Sequence, residues 1–536
     1  MTQESSSART AGHLGQNLVI LLALGVAACA HREDAPAQTL RFHNMAEPRT
    51  LDPAGATGVA DRNLLLALSE GLAAFDPRTA APVPGAAERW ETSADGLLWT
   101  FHLRAARWSN GDPLTAADFR RSWLRVLDPA TASPLASQLF EIVGAAEFAA
   151  GTGSAPQVGI EAHGDRELRV RLRRPMPWLA QLSASSPLVP VHSAAGAAGA
   201  FVRRERFVGN GPFVLEERVP NFRIVMVKNP NYWDAGNVTI QRIVAYSSES
   251  KQAAVDAFRA GRTDWVDDFP SAQASSWLGR PELRTSPYLA VSFLRFNTTK
   301  APFRDARVRR AIHMAIDRTL LCERVLRLGQ RPAQQLVPRC VTGVSGYVPV
   351  AGLPFSPERA RALLAEAGFP QGRGLPPIEL QYDTNEDWKR ICEAVQAMLR
   401  EHLQIDVYLV NKEKKTVIDD EERLAYLGMS RGSWIGDFAD PMAFLEVFTS
   451  SSSTNRTGFA NAQYDALLER ARASADEPAR RALMAQAERL LVEEELPFTP
   501  LYEFVKQTLV HPERIVDGFH ENLLGMHPMK WIRLRR

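Results

Sequence analysis

The chain has 536 residues, too many for one ordinary hydrophobic core, so two or three domains are expected. Its 45% hydrophobic and 23% charged residues are those of a soluble globular protein. A formal net charge of +2 excludes a nucleic-acid groove or a strongly basic membrane face as the organising feature, and the short basic clusters Arg171–Arg174, Arg203–Arg206 and Arg533–Arg536 read as solvated faces.

The first segment reads as targeting, not structure. Met1–Gln16 is polar, and Leu18–Ala28 is an apolar run of about eleven residues, short for a membrane span and suited to a signal-peptide core. The run ends in Val26-Ala27-Ala28-Cys29, which resembles the bacterial lipobox, so residues 1–29 are expected to be a signal peptide with Cys29 as the lipid-modified residue. Cleavage after the small residues, with Cys29 simply removed, is the alternative. Beyond Ala28 no run is long enough to span a bilayer. The expected location is the periplasm or cell envelope; Ala30 after the cysteine favours the outer membrane where there is one.

Cys322, Cys340 and Cys392 remain, an odd number with no CxxC spacing, so no disulfide framework is expected and a single Cys322–Cys340 bridge stays open. No His/Cys/Asp/Glu group has metal-ligand spacing, and no cofactor is expected. GxSxG, HExxH, Walker A and GxGxxG motifs are absent, which argues against an enzyme and assigns any ATP hydrolysis to a partner.

In chain order, Leu40–His43 reads as a strand, Asn63–Gly71 as a helix with Leu64, Leu65 and Leu68 at helical spacing, and Leu97–Leu103 as a strand. Asn110-Gly111-Asp112 is a tight turn. Thr115 and Asp118 form a capping box opening a helix with Phe119, Trp123 and Val126 on one face. Later, Ile312–Asp317 and Pro357–Ala367 read as helices, Ile378–Tyr382 as a strand, Asp387–His402 as a helix and Ile405–Val410 as a strand, an alternation that argues for βαβ units.

The string Leu97–Trp123 (LLWTFHLRAARWSNGDPLTAADFRRSW), followed by Asp128–Ser137 (DPATASPLAS), closely resembles the extracytoplasmic oligopeptide-binding proteins of ABC importers. Gly209–Phe213 (GNGPF), Lys228–Asp234 (KNPNYWD) and Ala301–Ala311 (APFRDARVRRA) follow in the same order. The resemblance implies an α/β protein of the bilobed periplasmic-binding-protein type II fold, with three domains and a cleft that closes by hinge motion. After the signal peptide it implies a domain I built from residues 30–69, 191–289 and 504–536, a domain II of 70–190, and a domain III of 290–503 forming the second lobe.

The candidate site is Ser430–Pro441 (SRGSWIGDFADP). Leu424–Met429 before it reads as a short strand, and Gly432 and Gly436 as punctuation of a turn carrying Arg431, Trp434 and Asp437. From the residues alone, either Arg431 and Asp437 serve a ligand, or they pair with each other or cap neighbouring elements. The resemblance favours the ligand and sets Asp437 against a peptide's α-ammonium group, where a buried cation needs a fixed counter-charge. The implied ligand-binding set is Asp437, Arg431, Trp434, Ser433, Thr57, Val59, Trp388 and Lys414. Thr57, Leu135, Trp388 and Lys414 depart from the family's glutamate, tyrosine, histidine and aromatic residue, and Ala290 and Ile435 replace the halves of a family disulfide.

The function implied is that of the solute-binding component of a bacterial ABC importer, a monomer that captures short peptides and delivers them to permease subunits served by separate ATPases. The alternatives are the same fold with another ligand, namely a murein peptide, opine, metal chelate or sugar, or a lipid-anchored periplasmic chaperone or scaffold.

Overall fold

The structure, a computed structural model, describes residues 38–56, 58–196, 201, 207–267, 269–436 and 438–536. The signal-peptide segment with Cys29, and the site residues Thr57 and Asp437, lie outside the described residues.

A single mixed sheet runs through the molecule. Ten of its strands follow the order Phe213–Val219, Arg223–Lys228, Arg242–Tyr246, Thr39–His43, Trp265–Val266, Phe498–Val510, Leu283–Phe296, Met429–Ile435, Ile378–Asp383 and Val407–Lys412. The two longest, Leu283–Phe296 and Phe498–Val510, are its middle. They pair antiparallel from Leu283↔Leu509 to Arg295↔Phe498, with register shifts between Pro287 and Val291 and between Ser292 and Phe293. One end of this ribbon adjoins the group containing Thr39–His43, through Trp265↔Val510. The other end adjoins the group containing Met429–Ile435, through Phe296↔Met429. Each group has its own core, one around Phe42, Phe213, Ile243 and Trp265, the other around Phe296, Ile312, Leu380 and Val395.

A separate antiparallel sheet, ordered Ala87–Thr92, Leu98–Leu103, Glu167–Arg171 and Ile160–His163, is covered by the helix Ala116–Leu127. The local sequence explains that helix. Thr115 lies at its N-terminus in extended conformation, and its backbone N–H and hydroxyl donate to Asp118 Oδ2 at 2.9 and 3.0 Å. Phe119, Trp123 and Val126 are buried on one face, worth roughly 1.5–3 kcal/mol per large apolar side chain. The indole N–H of Trp123 donates to the Leu188 carbonyl at 2.9 Å, so its polar edge is satisfied as well.

Several boundaries differ from the sequence reading. The first helix is Val59–Leu68, because Asp61 Oδ2 accepts the Gly58 N–H and starts it earlier than Asn63. The helix expected at Ile312–Asp317 is Ala306–Met314, begun by Asp305 accepting the Arg307 N–H at 2.8 Å. The strand expected at Ile405–Val410 is Val407–Lys412. The strand expected at Leu424–Met429 is instead Met429–Ile435: Leu424 takes φ +52°, Ala425 N–H bonds back to Asp420, and the buried Tyr426 hydroxyl donates to the Arg456 carbonyl, so this apolar run is a packed turn. Cys322, Cys340 and Cys392 are free thiols; burial pushes Cys322 and Cys340 up to about 12.

Candidate ligand-binding site

The strand Met429–Ile435 carries three of the predicted residues, Arg431, Ser433 and Trp434. On one side it pairs over its full length with Leu283–Phe296, from Ala290↔Ile435 to Phe296↔Met429. On the other it meets Ile378–Asp383 only at Leu380↔Met429 and Gln381↔Ser430. From Arg431 to Ile435 that second edge has no strand partner among the described residues. It is an open sheet edge of the kind that accepts another extended chain.

The strand is braced from below. Arg295, 6% exposed, donates to the Arg431 carbonyl at 2.9 Å and to the fully buried Glu421 at 3.3 Å. Glu421 also accepts the Ser430 hydroxyl at 2.7 Å and Arg456 at 3.3 Å. Burial outweighs the attraction of Glu421 and lowers the Arg295 pKa from its usual value, while the 3.3 Å contact makes the two a buried ion pair. Gly432 is therefore no turn residue. A Cβ there would lie 2.4 Å from Arg295 Nη1 and 2.6 Å from the Phe293 ring, so only glycine lets the strand lie this close.

Arg431 does not need Asp437 as a partner. Its Nε lies 2.5 Å from Oδ1 of Asp383, at the end of the neighbouring strand, with both side chains mostly buried. Trp434 is half-buried, and its indole N–H donates to the Ala443 carbonyl at 2.6 Å. Immediately beyond, the segment Phe438–Asp440 is fixed at three points. Phe438 stacks on Trp178 with ring centroids 4.8 Å apart and planes 6° apart. The Ala439 N–H donates to Gln181 Oε1 at 3.0 Å. Asp440 accepts two hydrogen bonds from Arg480, at 2.7 and 2.8 Å, and caps Met442 at 2.9 Å. Arg480 in turn lies 5.4 Å over the Trp178 ring.

The remaining predicted residues are dispersed. Val59 begins the helix Val59–Leu68 and is half-buried. Trp388 lies in the first turn of Glu386–Leu403, where Asn385 caps the Asp387 and Trp388 N–H groups, and packs against the core that contains Tyr382 and Tyr502. Lys414 is exposed at the start of the helix Lys414–Glu422. Leu135 is half-buried before a short 3-10 turn. Ala290 and Ile435 are direct cross-strand partners at one end of the pairing with Leu283–Phe296. Sequence reading missed Asp383, Trp178, Gln181 and Arg480; each reaches the site from another element, and no local motif marks it.

A mixed α/β molecule with a long two-stranded ribbon between its strand groups, and a braced strand with an open edge beside it, has the architecture of extracytoplasmic solute-binding proteins. Residues 81–456 match the bacterial extracellular solute-binding proteins, family 5 (middle region), and the chain belongs to this family of binding proteins, which are not enzymes. The periplasmic murein peptide-binding protein MppA of Escherichia coli K12 is 34% identical over 491 residues, 89% of this chain and 90% of that protein. A solved structure of MppA in its unliganded open form matches with a TM-score of 0.81 at 34% identity, covering 93% of this chain and 96% of the other. The periplasmic oligopeptide-binding protein OppA of Salmonella typhimurium LT2 is 34% identical, covering 92% of this chain and 93% of that protein. The probable deoxycholate-binding periplasmic protein YgiS of E. coli K12 is 35% identical, with 94% and 96% covered.

Proposed function

We propose that this chain is the receptor of a bacterial peptide importer: an exported protein that captures short peptides between its lobes and hands them to permease subunits energised by separate ATPases. The observation that carries this reading is the open edge of Arg431–Ile435, which can accept a peptide main chain in β-pairing without reading its side chains. Asp437, two residues further along the chain, supplies the carboxylate for the ligand's α-ammonium group, and Arg431, Ser433, Trp434, Thr57, Val59, Trp388 and Lys414 complete the ligand-binding set. Residues 30–69, 191–289 and 504–536 with 70–190 form one lobe, 290–503 the other, and the ribbon of Leu283–Phe296 and Phe498–Val510 is the hinge. The leader of residues 1–29 directs export, Cys29 carries the lipid anchor, and the protein acts as a monomer.

Asp437→Asn tests the site. The expected result is a large loss of affinity for free-amine peptides and little change for N-acetylated ones. Equal affinity of both proteins for a free-amine peptide removes Asp437 from the site.

A second reading keeps the fold and changes the ligand. It is favoured by the similarity to a protein named for deoxycholate binding and by the altered positions Thr57, Leu135, Trp388 and Lys414. One discrete non-peptide ligand recovered with the protein would select it.

A further inference from the structure

The Arg431 guanidinium is the cation closest in sequence to the open strand edge, and it already has an anion. Asp383 Oδ1 lies 2.5 Å from Arg431 Nε, and the side chains are 14% and 13% exposed, so the pair is largely shielded from water and salt. The arrangement is set by the sheet. Gln381 and Ser430 are the last pair between two parallel strands; beyond it Ile378–Asp383 ends at Asp383 while Met429–Ile435 runs on, which leaves Asp383 next to Arg431. Neighbouring cations are matched too. Lys412 lies 2.9 Å from Asp420 Oδ2, Arg456 lies 2.7 Å from Glu422 and 3.3 Å from Glu421, and Arg295 lies 3.3 Å from Glu421.

Resting on the peptide-receptor reading, we infer that Asp383 is a specificity-determining residue: it neutralises Arg431, so this part of the cleft takes a neutral acceptor, such as a main-chain carbonyl or a terminal amide, and does not select for a peptide's C-terminal carboxylate. A carboxylate brought to Arg431 would meet the charge of Asp383 at nearly the same distance, which cancels most of the attraction. A neutral carbonyl pays no such penalty, and the guanidinium has N–H groups left to donate to it. The receptor would then read peptides from the amine end and tolerate variation at the other end, including long peptides whose C-terminus lies outside the cleft.

The test uses one peptide in two forms, with a free C-terminal carboxylate and as its C-terminal amide, titrated calorimetrically into wild type, Asp383→Asn and the double variant Asp383→Asn/Arg431→Gln. Wild type is expected to bind both forms within about threefold of each other. Asp383→Asn, an isosteric change, should free the guanidinium charge and shift the ratio toward the carboxylate by about tenfold or more, and the double variant should cancel that shift. Wild-type preference for the carboxylate by tenfold, with the ratio unchanged in Asp383→Asn, overturns the role of Asp383 and leaves the peptide reading standing. Binding of neither form by any of the three folded proteins overturns the peptide reading itself, and this inference with it.

Discussion

Trp178 and Phe438 stack in parallel, with ring centroids 4.8 Å apart and planes 6° apart. Trp178 follows the four-stranded sheet in the chain, and Phe438 follows the strand that carries Arg431 and Trp434, so this contact joins two regions far apart in sequence beside the candidate site. Arg480 backs the tryptophan at 5.4 Å while bound to Asp440, which ties the stack into a buried ion pair.

Removing the stack should loosen the site without unfolding the protein. An offset aromatic pair contributes about 0.5–1.5 kcal/mol beyond its buried area, so Trp178→Ala is expected to weaken peptide binding by about three- to tenfold. Arg174 and Glu469 also join these regions, at 2.8 Å, but are 43% and 52% exposed. Such a pair is screened, and Arg174→Ala should change affinity by less than about twofold. Titration calorimetry separates the two; a larger effect at Arg174 than at Trp178 would contradict the ranking.

Gly432→Ala places a methyl group 2.4 Å from Arg295 Nη1 and 2.6 Å from the Phe293 ring. Both neighbours are buried and bonded, so the strand must shift away from Leu283–Phe296. The expected cost is about 1–3 kcal/mol in urea unfolding, together with loss of ligand binding. An alanine variant of wild-type stability and affinity would show that the close approach is dispensable.

Arg480 is 2% exposed and makes two hydrogen bonds to Asp440, whose carboxylate holds the guanidinium pKa above its usual value against the pull of burial. Arg480→Met leaves Asp440 buried and unpaired. The predicted destabilisation is about 3–5 kcal/mol, far beyond that of any surface ion pair here. A thermal or urea unfolding difference under about 1 kcal/mol would rule the pair out as a structural anchor.

Glu488 is fully buried and gathers the Tyr347 hydroxyl at 2.6 Å and the N–H groups of Val337, Val350 and Leu336 at 2.9, 2.9 and 3.2 Å. Burial outweighs these bonds and pushes its pKa up from 4.5 to about 7. The folded state thus holds the proton more tightly than the unfolded one. Its contribution to stability is full below about pH 4.5 and is lost as pH rises through about 7. Wild type should lead Glu488→Gln by more at pH 5 than at pH 8, the lead shrinking by about 2–3 kcal/mol between them. A pH-independent difference in denaturant unfolding would contradict the shift.

The sequence carried the scaffold well where one segment decides its own structure. The Thr115–Asp118 cap is local, and the Phe119–Trp123–Val126 face follows from helical spacing. It failed where a distant residue decides. Gly432 read as a turn because glycine usually marks one, yet its reason is Arg295 and Phe293 beneath the strand. Leu424–Met429 read as a strand because it is apolar; it is a turn because Asp420, Glu421 and Arg456 capture its polar groups, leaving Leu427 63% exposed. Arg431 reads from the sequence as a candidate, but its ion-pair partner Asp383 does not, since only the register of two parallel strands brings them together.

The most direct test of the peptide-receptor account is native mass spectrometry of residues 30–536, isolated gently from the expressing cells without denaturant. The account predicts a ladder of bound species that fragment as short peptides of varied sequence. A single discrete non-peptide mass would contradict it.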